Sequence, residues 1–140
     1  MIKEYTTHSV NETMEIAQNF GKQISKGCVI SLVGDLGVGK TAFTKGLAKG
    51  LDISDTITSP TFTLLKEYEG RLNLKHIDAY RLETVSSDTL GLYDLIDDEN
   101  VVVLEWGQFL DDIDFEVDVT ISINYIDENT RTIKFEGTSI

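Results

Sequence analysis

Cysteine, proline, arginine and long apolar runs are all scarce in this sequence. Cys28 is the single cysteine, so neither an intramolecular disulfide nor a multi-thiolate metal site is possible. The longest uninterrupted apolar stretches are a few residues long, whereas a membrane-spanning helix needs roughly 20. The N-terminal residues are polar with scattered apolar positions, which is not the pattern of a secretion signal. We therefore expect a cytoplasmic protein without a membrane segment.

Positive charge is also scarce. The formal net charge is −12, and the arginines are limited to Arg71, Arg81 and Arg131. A bare nucleic acid would meet a repulsive long-range field, so strong direct binding to nucleic acid is not expected. Two uses of the negative charge stay open: solubility alone, or association with a basic protein partner.

The remaining composition is that of an ordinary globular domain. The chain has 140 residues, 41% of them hydrophobic, and no Pro/Ser-rich linker, which indicates one domain spanning residues 1–140. Ser9 followed by Glu12 is a capping box that predicts a helix to about Ser25, with an apolar face that begins at Val10. Periodicity and turn signals predict the other elements in this order: strand IKEYTT before that helix, then strand CVISLV, helix TAFTKGLAKGL, a hairpin of TLLKEY and LNLKHIDAY, a short helix SSDTLGLYDLID, strand VVVLEW and a final hairpin VDVTISINYIDENTRTIKFEG.

A glycine-rich loop, GDLGVGKT at residues 34–41, lies between the strand CVISLV and the helix that follows. It satisfies the pattern GxxxxGK[ST], in which backbone N–H groups and a helix N-terminus surround phosphate oxygens. Lys40 supplies positive charge for the terminal phosphates, and Thr41 is the hydroxyl that such loops present to Mg²⁺. The pattern predicts nucleotide contacts from Asp35, Leu36, Gly37, Val38, Gly39, Lys40, Thr41 and Ala42.

The loop and the order of elements together predict the fold. We expect a single-domain α/β P-loop NTPase with a mostly parallel central sheet. Helices are expected on both faces of that sheet, with antiparallel hairpins added to it.

Hydrolysis requires groups beyond the loop, and two acids are candidates. Glu105 ends the strand VVVLE at the carboxyl edge of the predicted sheet, where open α/β sheets build their ligand crevices. Asp78 ends the strand that contains HID. A carboxylate is needed to help hold Mg²⁺, and another group must orient or deprotonate the nucleophile. Because the chain contains 24 acidic residues, each of the two is alternatively a solvated acid at a strand end.

Other residues near these motifs admit an ordinary structural role. His76 alternates in phase with the apolar residues of its strand, and a lone histidine there is more often a core or surface residue than a catalyst. Trp106 and Cys28 are interpreted as core residues. Thr61 follows Pro60 in a loop that either closes over a terminal phosphate or simply forms a turn.

Four motifs occur in one order: GDLGVGKT, SPTF, HIDAYRL and the strand end LEW. Together, over essentially the whole chain, they resemble the bacterial ATPase family TsaE, also called YjeE, which is required for threonylcarbamoyladenosine synthesis on tRNA. The resemblance implies a compact ATPase that binds ATP and Mg²⁺. It also implies two protein partners of the threonylcarbamoyl transferase complex, of the TsaD and TsaB type. We expect such an acidic ATPase to dock onto the proteins that handle the RNA rather than onto bare tRNA.

The resemblance also implies roles for matching positions. Thr41 and Glu105 are expected to coordinate Mg²⁺, and Asp78 is expected to be important for hydrolysis. The segment SPTF is expected to behave as a switch-like loop. Within it Thr61 would sense the terminal phosphate that Lys40 contacts, which makes both residues part of the catalytic set.

Nucleotide contacts outside the loop are implied for Trp106 and, near the base or ribose, for Arg131. The sequence departs from the family's pattern at two positions. Val38 stands where alanine is frequent, and Ala42 replaces a second hydroxyl that often follows the lysine and threonine. The second departure removes a phosphate contact and bears on affinity.

Three alternatives to an ATPase stay open. Phosphoryl transfer to a small molecule also uses such a loop and a strand-end acid, although small kinases usually clamp two substrates with several arginines. A GTP switch would need an Asn-Lys-x-Asp stretch to recognise guanine, and the sequence contains none. Scaffolding that does not depend on a nucleotide is the third. Mg²⁺-dependent phosphate release from ATP and GTP, alone and with candidate acceptors, separates these possibilities.

Overall fold

The computed structural model of the chain describes residues 2–34, 39–54, 65–78, 97–105 and 117–137. The strands in these ranges are β1 (Ile2–Thr7), β2 (Cys28–Val33), β3 (Leu65–Tyr68), β4 (Asn73–Asp78), β5 (Asn100–Glu105), β6 (Val119–Asp127) and β7 (Thr130–Gly137). The helices are α1 (Val10–Gln23) and α2 (Lys40–Gly50), and neither is long and apolar enough to cross a membrane. These elements confirm the predicted strands, the two hairpins and the first two helices. The short helix predicted at residues 86–97 lies almost wholly outside the described residues.

The described strands form one sheet in the order β1-β7-β6-β2-β5-β4-β3. At its centre β2 pairs in parallel with β5 and β6, and β5 pairs in parallel with β4. The outer pairs β1–β7, β6–β7 and β3–β4 are antiparallel. The prediction of a mostly parallel sheet is therefore wrong, because antiparallel pairings equal the parallel ones in number. Each hairpin extends the parallel centre outward, and β1 then adds to the outer strand of the C-terminal hairpin.

Both described helices pack on one face of the sheet. The core between them includes Phe20 of α1, Phe43 of α2, and Ile30 and Val103 of the two central strands. The opposite face of β5 is buried as well, because every residue of this strand is shielded from solvent. A strand that is covered on both faces explains the uninterrupted apolar run VVVL. Helices on the second face stay a prediction.

The two helices run parallel and touch along glycines. A Cβ at Gly46 would overlap the carbonyl oxygen of Met14, and a Cβ at Gly50 would overlap that of Gln18. These two glycines lie one turn apart on α2, so the close approach continues along the helix. Gly46 lowers the intrinsic helix propensity of this segment. Its absent side chain is nevertheless what lets the backbones of α1 and α2 meet.

Arg71, in the turn between β3 and β4, fixes the C-terminal ends of both helices. Its Nη1 donates to the carbonyl oxygen of Ile24 at 2.7 Å, and its Nη2 donates to those of Gly21 and Gly50 at 3.0 Å each. Its backbone N–H donates to the carbonyl oxygen of Leu51 at 2.7 Å. The last carbonyl groups of a helix have no intrahelical partner and carry partial negative charge. One guanidinium therefore satisfies the ends of α1 and α2 together.

Three phenylalanines join the helix pair to the C-terminal strand. The ring centroids of Phe20 and Phe135 are 5.0 Å apart, and those of Phe43 and Phe135 are 6.0 Å apart. Tilted aromatic contacts at these distances are favourable beyond the burial of their surface. They anchor α1 and α2 to β7, which carries one wall of the site described next.

Candidate functional site

The glycine-rich loop ends in the first turn of α2. Gly39 caps that helix with a φ of 116°, a left-handed conformation that residues with a Cβ rarely adopt. Gly39 has no side chain of its own with which to cap the helix start. The first intrahelical bond runs from the N–H of Phe43 to the carbonyl oxygen of Gly39 at 3.0 Å. The N–H groups in the first turn of a helix have no partner within the helix, so a helix start favours an anion to which they can donate.

Lys40 begins α2 and is buried, with 6% of its surface exposed. Lysine is seldom so buried unless its charge is compensated. The Thr44 hydroxyl donates to the Lys40 carbonyl oxygen at 2.9 Å and closes the first turn behind it. Thr41 follows Lys40 and is partly exposed. The helix start thus combines backbone donors, an ammonium group and a hydroxyl.

Parallel strands bring two acidic positions to the same edge of the sheet as this helix start. Glu105 ends β5 and is the register partner of Leu32 on β2, the strand that leads into the loop. Glu105 is also the register partner of Asp78, which ends β4. Neighbouring strands lie about 4.8 Å apart, so the backbones of the two acids are adjacent. The predicted acids therefore meet at one edge, and Glu105 is buried there with 5% of its surface exposed.

A histidine lies against Glu105 inside the protein. His76 of β4 is fully buried, and its Nε2 lies 3.2 Å from Oε2 of Glu105. Both ring nitrogens are shielded from solvent, and neither makes a well-aligned hydrogen bond within the described part of the chain. The sequence left His76 as a core residue, a surface residue or a catalyst, and its burial excludes the surface. The structure also shows the contact of His76 with Glu105, which strand periodicity alone does not predict.

A cavity of about 170 Å³ opens beside the start of α2. Its walls come from the first turn of α1, the start of α2 and the turn between β6 and β7; the lining residues are Ser9, Val10, Thr13, Gly39, Ala42, Glu128, Asn129 and Arg131. Both helices direct their N-terminal ends toward it, and helix N-termini carry partial positive charge. In a chain of strongly negative net charge, this position favours a polar or anionic ligand.

Arg131 reaches the cavity from β7 and is held in place. Its Nη1 donates to the carbonyl oxygens of Asp127 and Thr130, and its guanidinium carbon lies 4.7 Å from the centroid of the Tyr125 ring. The turn itself is closed by Asp127, whose Oδ1 accepts the N–H of Asn129 at 2.9 Å. That hydrogen bond, followed by one with Thr130, lowers the pKa of Asp127. These contacts keep the guanidinium fixed at the cavity wall.

The predicted metal ligands have the chemistry that Mg²⁺ prefers. Thr41 and Glu105 supply a hydroxyl and a carboxylate, both hard oxygen donors. Within the described ranges, no group of three or more His, Cys, Asp or Glu side chains is placed to hold a metal ion. A site with few protein ligands suits Mg²⁺, which usually retains waters and binds substrate phosphates.

The structure describes two groups of the predicted site residues. Glu105 and the backbone of Asp78 lie at one strand edge, and Gly39 to Ala42 lie at the helix start. The remaining predicted residues, Asp35, Leu36, Gly37, Val38, Thr61 and Trp106, lie outside the described residues, as does the side chain of Asp78.

Sequence reasoning missed the wall that α1 contributes to the cavity. Apolar periodicity places Val10 on the buried face of this helix, but the residue is 65% exposed and lines the cavity. Glu128 and Asn129 were recognised only as a turn. The capping box was the available signal, because it locates the N-terminus of a helix at Ser9, and helix N-termini commonly bind anions.

The chain was compared with protein families and with known proteins. A family model described as "Threonylcarbamoyl adenosine biosynthesis protein TsaE" matches residues 7–133. The chain is similar to the tRNA threonylcarbamoyladenosine biosynthesis protein TsaE of Treponema pallidum, with 40% identity over 128 residues covering 91% of this chain and 95% of the relative. It is 34% identical over 138 residues to the protein of the same description from Aquifex aeolicus, covering 96% of each.

A solved structure gives the same picture. The crystal structure of YdiB from Bacillus subtilis aligns with a TM-score of 0.84 at 33% sequence identity, covering 99% of this chain and 87% of that chain. The Bacillus subtilis tRNA threonylcarbamoyladenosine biosynthesis protein TsaE is 39% identical over 133 residues, 94% of this chain and 84% of the relative. These similarities extend across all three walls of the cavity and the strand edge.

Proposed function

The chain belongs to the TsaE family of threonylcarbamoyl adenosine biosynthesis proteins, and on this basis we propose that it is a Mg²⁺-dependent ATPase supporting the threonylcarbamoyladenosine modification of tRNA. One observation carries the proposal. The strand β2 leads through the glycine-rich loop to the start of α2, and Leu32 near its carboxyl end is the register partner of Glu105, which is in turn the register partner of Asp78. This is the arrangement that phosphoryl transfer by a P-loop NTPase requires.

The phosphates of ATP bind at the start of α2. Backbone N–H groups donate to the phosphate oxygens, and Lys40 neutralises the terminal phosphates. Because Lys40 is withdrawn from solvent, its charge acts at a lower effective dielectric constant than a surface lysine would. Further contacts with the same oxygens are assigned to residues 35–38.

Thr41 and Glu105 hold Mg²⁺ at this edge. A bound Mg²⁺ neutralises negative charge that develops on the phosphates during transfer. Glu105 is suited to this role because its carboxylate is buried, and a buried carboxylate gains more from a cation than an exposed one does. Removing its charge should therefore weaken the dependence of nucleotide binding on Mg²⁺.

Hydrolysis is assigned to Asp78. Its backbone is the register partner of Glu105, and we assign to its carboxyl group the task of accepting a hydrogen bond from water and orienting that water toward the terminal phosphate. Thr61 is assigned to the terminal phosphate itself. Binding is thus expected to depend on Lys40, and turnover on Asp78.

The adenosine part of ATP occupies the cavity beside α2. The cavity adjoins Gly39 and Ala42, next to the phosphate-binding turn. Arg131 presents a fixed guanidinium with donors for ribose or base nitrogen and oxygen atoms and a planar face for stacking. Trp106 is assigned a further contact with the nucleotide.

The protein acts with partners. The net charge of −12 opposes direct capture of tRNA, so the chain docks onto proteins that themselves bind the RNA. Two partners of the threonylcarbamoyl transferase complex, of the TsaD and TsaB type, are proposed. ATP turnover resets that complex. Co-purification of the three proteins with and without ATP tests this part, and tight binding of tRNA by the chain alone at physiological salt would contradict it.

The nucleotide site is tested by Lys40→Ala with Lys45→Ala as the matched control. Both lysines lie on α2, but Lys45 is exposed. Calorimetric titration with ATP and Mg²⁺ should show that Lys40→Ala loses about 1.5–3 kcal/mol of binding free energy, since a charge-assisted contact is removed. Lys45→Ala should bind as the unchanged protein does. Equal affinities of the two variants would reject the site.

Phosphate release separates the ATPase from its alternatives. The unchanged protein should release phosphate from ATP only with Mg²⁺, with or without the proposed partners, and should discriminate against GTP. Release that requires a small-molecule acceptor would instead identify a kinase. Nucleotide binding that favours GTP would identify a GTP switch.

A further inference from the structure

We infer that His76 is a positioning residue that orients Glu105 for a divalent cation, an inference that rests on the proposed Mg²⁺ site. The register partner of His76 is Val103, two residues before Glu105 on the adjacent parallel strand. Side chains two residues apart on one strand share a face of the sheet. His76 and Glu105 therefore lie diagonally on the same face, with Nε2 and Oε2 3.2 Å apart.

The imidazole of His76 occupies a buried position where an apolar side chain would cost less folding free energy. Its neighbours along β4, Leu74 and Ile77, are fully buried and apolar. His76 is equally buried, yet its two nitrogens lack well-aligned hydrogen bonds to the described residues. A buried polar group in this condition costs folding free energy. Packing therefore does not explain a histidine here, and the adjacent Glu105 carboxylate does.

The chemistry needs no change of protonation. A neutral imidazole with its proton on Nε2 donates to Oε2 of Glu105 after a small rotation of either side chain. This contact fixes one carboxylate oxygen and leaves Oε1 to face the cation. Glutamate has three rotatable side-chain torsions, so without such a partner its carboxylate would sample several orientations. Residues that hold a metal ligand in this way commonly change metal affinity by about 10–100-fold when they are removed.

Three substitutions separate positioning from packing. His76→Gln places an amide N–H close to where Nε2 lies, whereas His76→Asn carries the same amide group but places it nearer to Nδ1. His76→Leu fills the space without a donor. Each variant is titrated with a non-hydrolysable ATP analogue, once with Mg²⁺ and once with EDTA, and its thermal unfolding is followed without nucleotide. The Mg²⁺-dependent gain is the ratio of the two dissociation constants.

Positioning predicts a specific pattern. The Mg²⁺-dependent gain should fall by about tenfold or more in His76→Leu and His76→Asn, and His76→Gln should restore most of it. Affinity in EDTA should stay unchanged in all three. In a Glu105→Gln background, His76→Leu should have no further effect on the gain, because the group that it orients has lost its charge.

Other results would overturn the inference. His76 would be a packing residue if the Mg²⁺-dependent gain were unchanged in His76→Leu. The same would follow if His76→Gln and His76→Asn lowered this gain equally and also weakened binding of the ATP analogue in EDTA. If His76→Leu does not fold, the comparison of the Gln and Asn variants decides, because both retain a polar side chain. The proposed function fails separately: the unchanged protein would then show no Mg²⁺-dependent gain at all.

Discussion

The two ends of the parallel helix pair have opposite character. At the C-terminal end, Arg71 donates to carbonyl oxygens of both α1 and α2, so the strong polar groups there satisfy one another. At the N-terminal end, the first turns of both helices line a cavity, and the Ser9 side chain caps α1 there. The polar groups at the first end contribute to folding, and the start of α2 at the second end is where the proposed function places the phosphates of ATP. Substitutions at the two ends should therefore fail in different measurements.

Asp78→Asn should give the largest effect and appear only in turnover. Loss of a group that orients or deprotonates the nucleophile typically slows a reaction about 100-fold or more. ATP affinity and the free energy of unfolding should change little, because the substitution keeps the size of the side chain. Steady-state phosphate release checks this, with Asp98→Asn at an exposed position as the control. An unchanged turnover rate would remove Asp78 from the mechanism.

Gly46→Ala should appear in stability instead. Alanine favours helix formation over glycine by about 1 kcal/mol, but its Cβ would overlap the Met14 carbonyl oxygen. Overpacking against backbone should dominate and destabilise the protein by about 3 kcal/mol. Urea unfolding measures the change, and Lys45→Ala, on the exposed side of the same helix, should not show it. A more stable Gly46→Ala variant would mean that α1 and α2 can move apart to accept the Cβ without lowering the free energy of unfolding.

Arg71→Ala should have a smaller effect at the same end. Three carbonyl oxygens lose their charged donor, but the side chain is about one-third exposed, so water replaces part of the loss. We expect about 1.5 kcal/mol of destabilisation by urea unfolding, at the low end for charged hydrogen bonds. Arg71→Lys should recover only part, because one ammonium cannot reach three carbonyl groups. If Arg71→Ala reduced the free energy of ATP binding by more than the free energy of unfolding, the two ends of the helix pair would be energetically coupled.

Cys28 should give the smallest effect near neutral pH. Burial, followed by the negative charge of Asp118, raises the pKa of the Cys28 thiol from 9.0 to about 12. The folded state therefore holds this proton more tightly than the unfolded state, so stability is constant below pH 9 and decreases as the pH rises toward 12. Thiol alkylation at pH 8 should accordingly be slow. Cys28→Ala should lack this part of the decrease in stability at alkaline pH. Identical curves of unfolding free energy against pH for the two proteins would contradict the raised pKa of Cys28.

Short-range signals predict the elements well. The capping box of Ser9 and Glu12 is present, with the Glu12 N–H donating to Ser9 Oγ at 3.1 Å, and α1 begins at the next residue. The apolar run before Glu105 predicts a central buried strand, which is found. Turn residues predict both hairpins. These signals work because each depends on residues that are close together in the sequence.

Long-range relations are not encoded in such patterns. The order of the strands depends on which edges meet, so the parallel centre was predicted but the extent of the antiparallel flanks was not. The contact between His76 and Glu105 depends on the register of β4 against β5, across 27 to 29 positions of chain. The close approach at Gly46 likewise requires α1, and nothing in the local sequence of α2 identifies its partner.

The cavity has a consequence for synthesis of the protein. Its lining comes from residues 9–13, 39–42 and 128–131, so a fragment that contains all three walls must run at least from Ser9 to Arg131. A chain emerging from the ribosome N-terminus first can form the helices early, but it completes this chamber only after the last hairpin has left the exit tunnel. A ligand bound in the chamber would therefore report that the hairpin of β6 and β7 has folded against the two helices.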